Sequence, residues 1–114
     1  MPAYDFLPLT DLDTFSHELE ELAEKAHVNA QLFQALSDKL ETLDPRHREL
    51  MALIVVKQQS VLDGVDEQLR YWRTLILDDT QLTTIRKCEQ LLRETRAANQ
   101  PLTNWFPMIS TLYH

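Results

Sequence analysis

One glycine in 114 residues leaves nothing from which to build a phosphate-cradling loop, which needs several closely spaced glycines. One cysteine, Cys88, excludes both an intrachain disulfide and Cys-x-x-Cys zinc spacing, and points to a reducing compartment. No run approaches the ~20 apolar residues of a membrane span. The opening MPAYDFLPLTDLD has neither the basic stretch nor the long apolar stretch of a secretory signal, so a cytoplasmic chain is expected. Cations are scarce as well: 11 Lys and Arg against 18 Asp and Glu leave a net charge of −7. Without a basic face for phosphate backbones, nucleic acid is not an expected partner. β-rich runs are few and the five prolines sit near expected element ends, so the chain is read as one all-α domain over residues 1–114.

What is present is helical patterning. Residues 44–79, DPRHRELMALIVVKQQSVLDGVDEQLRYWRTLILDD, open with an aspartate suited to an N-cap and a proline suited to a first turn. Met51, Val55, Leu62, Val65, Leu69, Trp72 and Ile76 then recur in steps of four and three, with Gln58 in the one vacant place. A first stripe precedes it: Phe15, Leu19, Leu22, Ala26, Phe33, Leu36, Leu40 and Leu43, with Asn29 in the corresponding vacancy and Asp11 or Asp13 as cap. Such polar seam residues either fix register or mark a locally wet seam. The short link Leu43-Asp44-Pro45 makes the two an antiparallel hairpin, with helices expected over residues 12–43 and 46–77.

A third helix is expected over residues 81–98, capped within Asp78-Asp79-Thr80, with Leu82, Ile85, Cys88, Leu92 and Thr95 inward. Gln100-Pro101 should end it, because proline removes a donor and restricts the residue before it. A short apolar C-terminal helix or tail would follow. The architecture expected is a three-helix bundle, or an extended coiled-coil-like form of it. Residues 1–79 carry 16 acidic and 7 basic groups (−9) and residues 80–114 carry 2 and 4 (+2), so the third part should settle weakly on the acidic first helix.

Catalytic constellations are not legible. Glu24 and His27 match half of the paired Glu-x-x-His pattern of di-metal bundles, but no second pair exists. No metal, no cofactor and no enzymatic activity are expected. Cys88, on an apolar helix side, is expected to be a buried thiol rather than a nucleophile.

Asp44, Leu50, Val56-Lys57 and Val61-Leu62, and later Leu91-Leu92-Arg93-Glu94 with Asn99-Gln100 and Leu102, resemble the FlgN-type flagellar export chaperones. The likeness spans roughly residues 12–112 and departs at Arg96, where the family has asparagine, and at Pro101, where its helix continues. The resemblance implies a cytoplasmic type III secretion chaperone that binds the helical termini of hook–filament junction proteins before export. A non-enzymatic adaptor or structural bundle, self-associating as a homodimer, is the alternative. Residues 101–113 hold Leu102, Trp105, Phe106, Met108, Ile109, Leu112 and Tyr113. They either fold back over the hairpin's open end near Phe15 and Trp72, or join the third helix in holding a client helix, with Pro101 as hinge. The partner-binding expectation therefore falls on Ile85, Leu92, Asn99, Leu102, Trp105, Phe106, Ile109 and Leu112.

Overall fold

The N–H of Arg46 donates to Asp44 Oδ1 at 2.8 Å, and Pro45 occupies the first helical position. The expected cap thus starts the second helix, α2 (Pro45–Arg73), where the sequence places it. The computed structural model describes residues 6–113, and within them the side chains of all but 40, 41 and 104–113. Before α2 comes α1 (Leu12–Ala35), and after it α3 (Asp79–Tyr113); no strand occurs among the described residues. The three helices form a flat, elongated bundle of 53 × 31 × 18 Å.

Helix ends differ from expectation where side chains compete for backbone groups. α1 stops at Ala35 instead of 43 and tightens into a 3-10 turn, Ser37–Thr42. The Leu36 N–H is shared between the Leu32 and Phe33 carbonyls, while the Ser37 and Thr42 hydroxyls take the carbonyls of Gln34 and Lys39. Leu36, expected in the seam, is consequently only half-buried. α2 ends at Arg73, short of 77, with Thr74 Oγ1 donating to the Tyr71 carbonyl at 2.6 Å. Ile76, also expected in the seam, is 98% exposed in the loop beyond. Asp11 occupies the cap of α1 without a side-chain bond.

α3 begins with a reciprocal cap: Gln81 N–H donates to Asp78 Oδ1 at 2.7 Å, and Asp78 N–H donates to Gln81 Oε1 at 3.1 Å. It then runs unbroken through Pro101 to Tyr113, so the expected stop at 98 and the separate C-terminal helix are both corrected. Proline here forfeits one ladder bond, to Ala97, at a cost of ~3 kcal/mol. Leu102, the next residue, is 1% exposed among Ala30, Phe33, Met51 and Val55. Its burial returns ~1.5–3 kcal/mol, which offsets much of that cost.

Phe15 meets Trp72 edge-on at 4.9 Å, and Phe33 shares a cluster with Met51 and Val55, so α1 and α2 are antiparallel as expected. Their backbones approach each other little, however. α3 makes the close approaches, to both of them, and runs parallel to α1 as a wedge along one side of the pair. Ala26 is buried in the middle of α1 as expected, with Ala23 beside it, while Leu22, also expected in the seam, is only half-buried. Cations on α3 bridge to both partners: Lys87 reaches Glu20 of α1 at 3.0 Å, and Arg96 reaches Asp63 of α2 at 3.0 Å. The basic third helix therefore settles on two acidic helices rather than on the first alone, and each partly exposed pair contributes little.

The lead-in is pinned. Leu7 N–H donates to Gln68 Oε1 at 2.8 Å, and the Leu7 carbonyl accepts from Gln68 Nε2 and from Trp72 Nε1 at 3.1 Å. Phe6 stacks on Tyr71. Leu62→Ala, at a site 1% exposed, is expected to cost ~2–5 kcal/mol in urea unfolding. Ile76→Ala is expected to stay within ~0.5 kcal/mol of the parent.

Candidate protein-binding site

Four of the residues expected to bind a partner point inward. Ile85 and Leu92 lie in the larger core cluster with Leu19, Leu62 and Trp72. Leu102 fills the smaller cluster, and Asn99 is 2% exposed between the two. In this arrangement all four are covered by α1 and α2. The side chains of Trp105, Phe106, Ile109 and Leu112 lie outside the described residues; their backbone continues α3. Because α3 runs parallel to α1, it carries residues 101–113 away from Phe15 and Trp72, and the expected fold-back onto that end does not occur.

The two clusters are separated by a polar layer. Gln58, Thr95 and Asn99 are buried there, and Thr95 Oγ1 donates to the Leu91 carbonyl at 2.7 Å. Asn99 Nδ2 reaches Gln59 Oε1 at 3.4 Å, while Gln58 Oε1 and Asn99 Oδ1 have no hydrogen-bond partner among the described residues. Gln58 therefore occupies a true seam position. Asn29 does not mirror it: Asn29 is half-exposed, and Ala30 takes the core place on α1.

A different surface emerges from α2. Residues 50–56, LMALIVV, are apolar without interruption, more than one buried helix face requires. Only Met51 and Val55 are fully buried; Leu50, Leu53, Ile54 and Val56 remain exposed. Helical arithmetic puts Leu50, Ile54, Lys57 and Val61 on the side of α2 turned away from α3. On α1 the corresponding side carries Lys25, Asn29, Leu32 and Leu36. The antiparallel register fixed by Phe15 on Trp72 and by Phe33 beside Met51 sets Leu36 level with Leu50, Leu32 with Ile54, Asn29 with Lys57 and Lys25 with Val61.

These two sides bound a groove between α1 and α2 on the face opposite α3. At its lower end the groove is occupied by the lead-in, held by Gln68 and Trp72. At its upper end it opens into a cleft of about 350 Å³ lined by Leu36, Leu43, His47, Leu50, Met51 and Ile54. Between these ends no described residue covers it for about three helical turns. Sequence periodicity missed Leu32, Leu50, Ile54 and Val61 because it selects one face per helix. The signal that could have found them is the uninterrupted run over residues 50–56.

Among the described residues no three His, Cys, Asp or Glu side chains come together as a metal site, and no helix is long and apolar enough to cross a membrane. Glu24 and His27 are both exposed on α1. Cys88 is 1% exposed, and burial pushes its thiol pKa up against a smaller opposing hydrogen bond with Ser16. None of the protein-family models, curated proteins or solved structures compared with this chain matches it.

Two measurements check this geometry. Gln58→Leu is expected to raise the urea midpoint, since an unpaired buried amide oxygen costs ~1–3 kcal/mol. Cys88 is expected to react with a chromogenic disulfide reagent only on unfolding. Its raised pKa favours the protonated folded form below the unfolded thiol's pKa, and that contribution is lost as pH rises through the folded value.

Proposed function

We propose that this chain is a non-enzymatic, cytoplasmic helix-binding protein, acting as a secretion chaperone of the flagellar type III kind that its sequence resembles. The observation that carries the helix-binding reading is the uncovered α1/α2 groove, where α2 is apolar on sides that α1 and α3 leave open. A fourth helix laid there would complete a four-helix arrangement and remove Leu32, Leu50, Ile54 and Val61 from water. Helical ends that pair only after assembly expose an apolar stripe beforehand, and a groove of this shape covers such a stripe without nucleotide or metal. The client kind, terminal helices of hook–filament junction proteins, follows from the resemblance.

Titration calorimetry with isolated terminal segments of such junction proteins tests the reading. A one-to-one complex is expected, and Ile54→Asp should abolish it while leaving the melting temperature within a few degrees, because Ile54 is partly exposed. Heat of mixing no greater than that of dilution would remove the chaperone assignment.

A further inference from the structure

The composition of the groove specifies its occupant more closely than apolarity does. The chain carries 18 acidic residues, yet residues 25–37 on α1 and residues 50–62 on α2 contain none. These two acid-free stretches are the ones that the antiparallel register sets side by side. Each contributes one lysine to the rim, Lys25 on α1 and Lys57 on α2, and both are exposed. Four cations below the groove are ion-paired, Arg70 with Asp66, Arg73 with Glu89, Lys87 with Glu20, and Arg96 with Asp63, whereas Lys39, Arg46, Arg86 and Arg93 form no ion pair among the described residues. Lys25 and Lys57 have no carboxylate within ion-pair reach among the described residues.

We infer that the groove takes an amphipathic helix from another protein whose apolar stripe is flanked on both sides by acidic residues. This rests on the helix-binding reading and adds the partner's charge pattern to it. The apolar floor of Leu32, Leu36, Leu50, Ile54 and Val61 would receive the stripe, and the two lysines would meet carboxylates at its edges. Opposite-sign rims raise the rate and selectivity of docking and discourage wrong partners. A second copy is the poorer occupant. Its own acid-free face would bring lysine against lysine, and the stripe of its acidic α1 is already buried in its own core. The lead-in supplies a precedent for occupancy, since residues 6–8 already fill the groove's lower end.

The test uses three synthetic 18-residue amphipathic helices with one leucine stripe, flanked by glutamate, glutamine or lysine, titrated by fluorescence anisotropy into the full chain. At low salt the glutamate peptide is expected to bind about 10-fold tighter than the glutamine peptide and the lysine peptide weakest, since a few partly exposed pairs each add only a small increment. At ~0.5 M salt the three should converge, because screening is then strong. Lys25→Glu with Lys57→Glu should reverse the order, with an unchanged melting curve showing that the fold is intact. If all three peptides bind alike and Ile54→Asp abolishes binding, the charge rule is overturned and the groove reading stands. If none binds, both are overturned. A dimer in sedimentation that Ile54→Asp dissociates would assign the groove to a second copy and overturn the inference.

Discussion

The bundle depends on α3, which packs closely against both α1 and α2 while the backbones of those two approach each other little. α1 and α2 are joined by a short turn and run antiparallel, but they meet through side chains, with Phe15 on Trp72 at one end and Phe33 beside Met51 and Val55 at the other. The third helix closes only one side of that pair. Ile85, Cys88 and Leu92 complete the larger cluster, and Leu102 completes the smaller. Three helices arranged this way must leave one side of the α1/α2 pair without a covering helix. The chain manages the lower end of that side with its own first residues, using the Gln68 amide and the Trp72 indole to satisfy the Leu7 backbone. A segment without secondary structure can be held there because its buried polar groups find partners.

The core is uneven along its length. Its lower cluster contains two aromatic rings and the longer row of aliphatic side chains, whereas the upper cluster rests on Phe33, Met51, Val55, Ala30 and Leu102. The Gln58–Thr95–Asn99 layer between them contributes less than an apolar layer would, because two amide oxygens have no partner among the described residues. The two halves are therefore coupled mainly through helix continuity. The upper half, with the smaller core, is also the half that carries the uncovered groove.

Charge follows the same division. The acidic residues of α1 cluster before residue 25, and those of α2 lie at its start and after residue 62. Ion pairs from α3 neutralise part of this acid along the flanks, through Lys87 and Arg96. Residues 25–37 of α1 and 50–62 of α2, which line the groove's open length, contain no acid, and Glu21 and Glu24 lie beside Lys25 only at its lower rim. An apolar floor beside Lys25 and Lys57 sets this side of the bundle apart from its otherwise acidic surface.

The sequence by itself determined what depends on neighbours close along the chain. Asp44 and Pro45 mark the start of α2 because a cap and a first-turn proline act within a few residues. The four-three stripe of α2 predicted Met51, Val55, Leu62, Val65, Leu69 and Trp72 as core, because one helix face is set by 3.6-residue periodicity alone. It also located Gln58 in the seam, though not whether that place is dry. Only tertiary structure decided that α3 wedges beside the hairpin, that it continues through Pro101 with Leu102 buried, and that Ala30 rather than Asn29 faces the core. Each of these turns on contacts between residues dozens of positions apart. The same holds for the groove. Residues 50–56 are apolar on every side of the helix, and periodicity cannot say which side α1 and α3 will cover. That choice belongs to the packing of three helices, which can enclose only so much of one another.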